Sequence, residues 1–164
     1  MTKPTAVVVG VGAEQGLGAA TCRRFAKDGH HVLVAGRTAV KIEQVVTTIV
    51  AAGGTAEPVL SDASSEADVA QLFDRAMAPG KGLEPVDLVV FNAGNNQRID
   101  FREPSARAFE DFWIGCYAGF LVGREAAWRL TPLGAARSSS REHPAACAGS
   151  LALPISRPPR RACA

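Results

Sequence analysis

Long apolar runs, paired cysteines and a secretory leader pattern are all missing from this sequence. No stretch approaches the about 20 uninterrupted apolar residues needed to span a membrane, so no membrane partner is expected. The start, from Met1 to Pro4, runs directly into an apolar pattern and lacks a signal-peptide profile. The four cysteines form no C-x-x-C pair and no zinc spacing, so no metal site is expected. Together these absences predict a cytoplasmic protein.

Aromatic residues are also missing from the last part of the chain, where positive charge accumulates. The 164 residues are 47% hydrophobic and 21% charged, which is typical of one globular domain. From Arg129 onward there are six arginines, one glutamate and half of the ten prolines. A basic tail can bind nucleic acid, but base stacking needs aromatic rings, and these arginines follow no helical or strand period. We therefore expect no nucleic-acid partner.

Strand patterns alternate with amphipathic helix patterns over the first 130 residues. Strands are predicted at residues 5–11, 31–35, 55–60 and 86–91. Helices are predicted at residues 16–28 and 38–52, from Ser64 or Ser65 to Met77, and from Ser105 to about Leu130. Apolar strands that alternate with helices indicate an α/β fold, with a Rossmann-type, doubly wound parallel sheet and helices on both faces.

The alternation stops after Leu130. Three successive serines at 138–140 and several prolines break any pattern, and no apolar run is long enough for another strand. A doubly wound sheet normally continues at this point. The sequence therefore predicts a Rossmann-type domain over residues 1–130, truncated after strand four and helix four. Residues 131–164 are predicted to be an irregular, basic Pro/Arg-rich tail.

A glycine-rich segment lies between the first strand and the first helix. Gly12, Gly16 and Gly18 have the spacing G-x-x-x-G-x-G, with Gln15 and Leu17 on either side of Gly16. Glycines let the backbone approach a pyrophosphate, and the free amides at a helix start bind its negative charge. The same spacing also occurs in a plain tight turn, so the segment alone leaves both interpretations open.

Arg37 follows the second strand, where NAD-binding domains usually carry an acid for the ribose hydroxyls. The local sequence Ala-Gly-Arg-Thr at 35–38 contains no acid. Arg37 is therefore placed to pair with a 2′-phosphate, which favours NADP over NAD as the nicotinamide dinucleotide. The alternative is an exposed arginine in a loop.

Three motifs in order resemble the short-chain dehydrogenase/reductase family over residues 5 to about 130. The glycine spacing matches the family's cofactor loop, and Ser61-Asp62-Ala63 matches its aspartate-bearing adenine contact. Asn92-Ala93-Gly94 matches the Asn-Asn-Ala-Gly motif, which steadies the sheet and lines the cofactor. The resemblance implies an oxidoreductase that uses NAD(P) and a small carbonyl or alcohol substrate. It also implies a homo-oligomer through helix four, whose unpaired face would partly expose Phe109, Phe112, Trp113, Phe120 and Leu121.

Several residues depart from the family pattern. Val11 stands in place of a threonine, and Glu14 brings into the phosphate loop a charge that should repel phosphate unless it turns to solvent. Cys116 stands in place of an asparagine and cannot offer the paired donor and acceptor of an amide. It is either a nucleophile or a buried structural thiol. The family's serine and Tyr-x-x-x-Lys pair have no match, since Tyr117 is the only tyrosine and Lys81 the last lysine. We assign no catalytic residue.

Two interpretations of the tail remain open. If the third base of each codon is read with the first two of the next, residues 137–140 can encode three apolar residues typical of a core strand. In the same frame, residues 155–160 can encode a Phe-x-x-x-Lys variant of the family's pair. The tail after about residue 134 is therefore either out of frame or a genuine divergent tail.

These features are consistent with three functions. The chain is an NADP-dependent oxidoreductase by descent that is now catalytically impaired, a non-enzymatic dinucleotide-binding or regulatory module, or an unstable truncated product. Turnover distinguishes the first from the second, and folding distinguishes both from the third. The substrate is not encoded in these residues, because the family's later elements, which shape the substrate pocket, have no match here.

Overall fold

The fold alternates strands and helices along most of the chain. A computed structural model describes residues 2–94, Arg102, residues 105–133 and residues 137–140. The strands are β1 (Lys3–Val9), β2 (His31–Gly36), β3 (Thr55–Leu60), β4 (Leu83–Phe91) and β5 (Arg137–Ser140). The helices are α1 (Leu17–Lys27), α2 (Ala39–Ala51), α3 (Glu66–Met77) and α4 (Ala106–Leu130), followed by a 3-10 helix at Thr131–Leu133. The predicted α/β alternation is confirmed.

All the strands lie parallel in one sheet with the order β3-β2-β1-β4-β5. Strand β1 is central, and its Ala6 pairs with Val32 on one side and Leu88 on the other. From β1 the chain moves outward through β2 and β3, then returns to the opposite side of β1 for β4. This reversal creates a crevice at the carboxyl ends of β1 and β4, the usual ligand position in doubly wound sheets.

The core lies on both faces of the sheet. Val7 and Val9 of β1 belong to a cluster that packs against α3 and α4, whereas Val8 belongs to a cluster with α1 and α2. Successive side chains of a strand point to opposite faces, so a strand covered on both sides must be apolar throughout. This explains the uninterrupted valine run of β1, whose residues from Ala6 to Val9 are at most 2% exposed.

Two serines begin helices, as the sequence predicts. The Ser65 hydroxyl accepts a hydrogen bond from the Asp68 amide at the start of α3, and the Ser105 hydroxyl accepts one from the Ala108 amide at the start of α4. These bonds satisfy amides that have no partner inside the helix. Of the two candidate caps for α3, Ser65 is therefore the correct one.

Ion pairs fasten α4 to α3. The Arg124 guanidinium pairs with Glu66 and lies 4.9 Å from the centre of the Trp128 ring. Arg129 pairs with Asp74 of α3 and also with the buried Glu125 on its own helix. Helix α4 is thus held over the sheet by side chains from its second half, where Leu121, Val122 and other residues join the core.

Helix α4 also carries large exposed side chains. Phe109, Trp113 and Phe120 are 67%, 61% and 58% exposed, as expected for an unpaired face, and Phe112 is half-buried. Leu121 is 1% exposed, so its predicted exposure is wrong: it points into the core beneath the helix. Among the helices of the described residues, none has the length and apolarity needed to cross a bilayer.

A fifth strand extends the sheet beyond the predicted end. Residues 137–140 pair in parallel with residues 88–91 of β4, so the expectation that no strand follows helix four is wrong. Residues 137–140 contain no apolar run, but a strand edge presents backbone amides and carbonyls that pair with any extended segment. The Rossmann-type α/β class itself is unchanged. Residues 134–136 and 141–164 of the predicted irregular tail lie outside the described residues.

Gly10 offers a test of the packing at the end of β1. Its φ is +88°, and a Cβ there would lie 2.3 Å from the Ala93 amide nitrogen. Gly53 also has a positive φ, +82°, but no atom within 4 Å of a Cβ. A left-handed backbone costs about 1–2 kcal/mol for an ordinary residue, so Gly53→Ala should lower the free energy of unfolding by that amount. Gly10→Ala should lower it further, because it adds the clash.

Urea unfolding followed by circular dichroism measures both changes. Equal losses for the two variants would show that the contact between Gly10 and Ala93 does not constrain the fold.

Candidate functional site

The candidate residues lie at the carboxyl edge of the sheet. In parallel strands these ends meet at one edge, so the segments after β1, β2, β3 and β4 are brought together there. The structure places all the predicted residues on these segments: Gly12, Gln15, Gly16, Leu17 and Gly18 after β1, Arg37 after β2, Asp62 and Ala63 after β3, and Asn92, Ala93 and Gly94 after β4.

The glycine segment makes a tight turn before α1. The Gly16 amide donates to the Ala13 carbonyl at 2.8 Å, and Gly16 is the N-cap residue of the helix. No side chain caps this end, and the first turn contains no acid. The first amides of a helix lack internal partners and carry partial positive charge. This end of α1 can therefore accept an anion.

The glycines of this segment have different surroundings. A Cβ at Gly12 would meet no atom within 4 Å, whereas one at Gly18 would lie 3.0 Å from the Asn92 side-chain nitrogen. Gly18 thus allows α1 to approach the segment after β4. The open side of Gly12 leaves space next to the helix start.

Two further glycines were missed by the sequence analysis. A Cβ at Gly36 would lie 2.3 Å from the Val11 carbonyl oxygen, and one at Gly10 would clash with Ala93. Both residues let neighbouring segments pass close to the glycine loop. The only signal in the sequence was their position at the end of a strand pattern, which does not show what lies next to them.

Asn92 connects the segment after β4 to the end of β1. Its amide donates to the Val9 carbonyl at 2.8 Å, and its side-chain nitrogen donates to the Gly10 carbonyl at 3.2 Å. Ala93 packs against Gly10, and Gly94 is exposed. The asparagine therefore holds together the two segments that border the crevice between β1 and β4.

Arg37 and Asp62 lie beside each other after β2 and β3. The Ser61 amide donates to the Gly36 carbonyl at 3.1 Å, which brings the two segments together. Asp62 accepts hydrogen bonds from the Ser64 amide at 2.9 Å and the Ser64 hydroxyl at 2.7 Å. These bonds, together with the charge of Arg37, hold the pKa of Asp62 below its usual value. Arg37 itself is exposed.

A loop that binds phosphate was expected to turn the Glu14 side chain to solvent. The structure does not show this orientation. The side chain is half-buried, and its carboxylate accepts hydrogen bonds from Gln44 and Thr48 of α2. Its charge is thus directed towards the middle of α2. The physical reason is the packing of α1 on α2, which places two polar side chains within reach.

Cys22, Cys116 and Tyr117 occupy different environments. Burial raises the pKa of the Cys22 thiol to about 12, so this cysteine stays protonated and unreactive at neutral pH. Cys116 is half-buried and Tyr117 is 42% exposed, both on α4. One turn later, Gly119 allows the Phe91 ring at the end of β4 to approach the helix.

Two surface grooves lie outside the glycine loop. One of about 400 Å³ runs along β3 and α3 and is lined by residues that include Glu57, Gln71 and Arg75. The other, of about 500 Å³, is formed by Phe109, Glu110, Trp113 and Ile114 of α4. Neither is lined by the residues of that loop.

The order of the strands and the glycine-rich turn after β1 define a doubly wound, Rossmann-type α/β protein. Comparison with known families narrows this class. The family described as short chain dehydrogenase matches residues 5–129, which is most of the chain. The chain therefore belongs to the short-chain dehydrogenase family, and the resemblance stated from its motifs is confirmed.

Curated relatives are similar over the same part of the chain. It is 36% identical over 118 residues to the uncharacterized oxidoreductase YuxG of Bacillus subtilis. It is 38% identical over 107 residues to 3beta-hydroxysteroid dehydrogenase 1 of Eggerthella lenta. These matches cover 70% and 65% of this chain but 17% and 38% of the two relatives. The chain thus spans less than half the length of either relative.

Solved structures show the same arrangement. A short-chain dehydrogenase from Rhodopseudomonas palustris has a TM-score of 0.74 and 30% identity, over 84% of this chain and 62% of that chain. A metagenomic short-chain oxidoreductase in complex with NADP has a TM-score of 0.74 and 25% identity, over 85% and 62% of the two chains.

The hydrogen bonds to Asp62 predict a pH dependence. A carboxyl whose folded pKa is lowered stabilises the fold above its unfolded pKa, about 4. That stabilisation is lost as the pH falls through the folded value. Asp62→Ala should therefore unfold more easily than the natural chain at pH 7, and the difference should shrink below about pH 4.

Urea unfolding at a series of pH values measures this difference. Glu43→Ala removes an exposed carboxylate of α2 and serves as the control. A difference between the natural chain and Asp62→Ala that does not change with pH would contradict the assignment.

Proposed function

We propose that residues 5–129 bind a nicotinamide dinucleotide, with NADP preferred over NAD. The observation that carries this proposal is the uncapped start of α1 beside the open Gly12, in a chain of the short-chain dehydrogenase family. One solved relative, the metagenomic oxidoreductase, is described in complex with NADP. A dinucleotide needs an anion site, a ribose contact and an adenine contact, and the candidate residues supply hydrogen-bonding groups for each.

The proposed roles follow the position of each residue. The loop of Gly12, Gln15, Gly16, Leu17 and Gly18 holds the pyrophosphate through the backbone amides that the turn leaves unbonded. Arg37 pairs with the 2′-phosphate, and Asp62 and Ala63 contact the adenine. The segment of Asn92, Ala93 and Gly94 lines the crevice on the side of β4.

We further propose that this chain is catalytically impaired. A bound nicotinamide supplies the hydride acceptor or donor, but the alcohol oxygen also needs a positioned acid or base. No Tyr-x-x-x-Lys pair occurs in the sequence. An intact loop without this pair favours the second candidate function, a dinucleotide-binding or regulatory module. Members of the intact family act on a small carbonyl or alcohol. We do not propose that this chain converts such a substrate.

Two further proposals concern the tail and the exposed surface of α4. We propose that the sequence after about residue 134 is out of frame, which would account for the missing lysine of the catalytic pair. We also propose that the exposed aromatic face of α4 pairs with a second copy of the chain. The cytoplasmic location stays a prediction.

The preference for NADP can be tested through Arg37. Because Arg37 is exposed, its pairing with phosphate should contribute less than the about 1.5–3 kcal/mol typical of a charged hydrogen bond. We expect NADPH to bind roughly 5–20-fold more tightly than NADH, and Arg37→Ala to remove that preference. Nicotinamide fluorescence titrations measure both affinities.

Arg107→Ala, which removes an exposed arginine of α4, is the matched control and should keep the preference. Equal affinities of the natural chain for NADPH and NADH would refute the role of Arg37.

The impairment can be tested by turnover. General acid–base help contributes about 10²–10⁴-fold to such reactions, so its loss should leave NADPH oxidation near background over a panel of carbonyl compounds. The same preparation must bind NADPH, which excludes an unfolded chain as the cause. A version of the gene restored to the alternative frame near Gly134 should give a longer, folded protein.

Sequencing the coding DNA decides the frame, since an early stop codon in the alternative frame would rule it out. Robust turnover by the 164-residue chain would contradict the impairment.

A further inference from the structure

Glu14 lies at the centre of the turn that precedes α1. The turn is closed by the bond from the Gly16 amide to the Ala13 carbonyl, so Glu14 and Gln15 are its two central residues. Gln15 is exposed, whereas Glu14 is half-buried. The two neighbours therefore have opposite environments within one turn.

Both carboxylate oxygens of Glu14 accept hydrogen bonds from α2. Oε2 accepts from Gln44 Nε2 at 2.8 Å, and Oε1 accepts from Thr48 Oγ1 at 2.6 Å. The two donors are four residues apart and thus share one face of the helix. The Glu14 carbonyl accepts a third bond, from Arg23 Nη1 of α1, at 2.9 Å. The turn is thereby fastened to two helices.

A carboxylate next to an anion site normally weakens binding of the anion, because like charges repel. Here the hydrogen bonds of the carboxylate also fix the backbone of the turn. The amides of this turn are the ones proposed to bind the anion. Ordering a loop in advance removes an entropic cost from ligand binding. The benefit of the anchor and the penalty of the charge therefore oppose each other at the same residue.

We propose that Glu14 is a positioning residue: its clamp to Gln44 and Thr48 holds the glycine loop in the conformation that accepts the pyrophosphate, and this effect outweighs the repulsion by its charge. The proposal rests on the proposed binding of a nicotinamide dinucleotide. Glu14 acts through the loop backbone.

Two substitutions separate the anchor from the charge. Glu14→Gln and Glu14→Ala both remove the negative charge, but only glutamine keeps a side chain that can bond to Thr48 and Gln44. NADPH should bind Glu14→Ala about tenfold more weakly than the natural chain, a change of about 1.4 kcal/mol. Glu14→Gln should bind NADPH at least as tightly as the natural chain. Tighter binding by Glu14→Ala would show that the charge dominates and would overturn the proposal.

Helix α2 offers a matched pair of variants. Thr48→Val removes the hydroxyl that holds Glu14, whereas Thr47→Val removes a neighbouring hydroxyl that donates to the Glu43 carbonyl. Thr48→Val should weaken NADPH binding and Thr47→Val should not. In the double variant, Thr48→Val should add little to Glu14→Ala, because the two residues act through one contact. Independent, additive losses would overturn the proposal.

Hydrogen exchange in the cofactor-free chain distinguishes this proposal from the proposed function. Amides of residues 12–18 should exchange faster in Glu14→Ala than in Glu14→Gln and the natural chain. Unchanged exchange overturns the clamp whatever the affinity for NADPH. If the natural chain binds neither NADPH nor NADH, the proposed function is wrong and the positioning role is overturned with it. If it binds NADPH and Glu14→Ala binds equally well, the clamp alone is wrong.

Discussion

The close approach between the chain after β1 and the chain after β4 is the constraint on which the rest of the structure depends. Asn92 bonds to Val9 and Gly10 through its backbone and side chain, and Ala93 occupies the space that a side chain at Gly10 would need. Two parallel strands separated by about 80 residues are thereby joined at their carboxyl ends. The position of the glycine loop, and of α1 behind it, follows from this junction.

Much of this arrangement could be predicted from the sequence because it depends on periodicity. Valine-rich runs indicate strands buried on both faces, and apolar residues at helical spacing indicate the helices that cover them. Once the strands are parallel, their carboxyl ends share one edge, so Arg37, Asp62 and Asn92 could be expected near the glycine loop. The roles of Gly10 and Gly36 could not be predicted. Each depends on a close backbone atom that is remote in sequence or belongs to another loop.

Glu14 and β5 show two further limits of sequence reasoning. The destination of the Glu14 side chain depends on how α1 packs on α2, and no local pattern specifies Gln44 and Thr48 as its partners. Strand β5 has no apolar run, so a search for buried side chains misses it. Backbone groups at the edge of β4 pair with an extended segment irrespective of its side chains. Hydrophobic pattern thus predicts strands buried on both faces well and edge strands poorly.

In the proposed function, cofactor binding and catalysis are separate properties that depend on different parts of a short-chain dehydrogenase. The proposed binding residues lie between Gly12 and Gly94, and many of them would act through backbone amides that need glycine and correct local geometry. Acid–base catalysis needs side chains of particular chemistry, which the family carries on later elements. A chain with the first set and without the second can retain affinity for a dinucleotide after losing turnover. The burial of β1 and the ion pairs between α3 and α4 stabilise the first 130 residues, because the described residues of these contacts extend no further than Leu130.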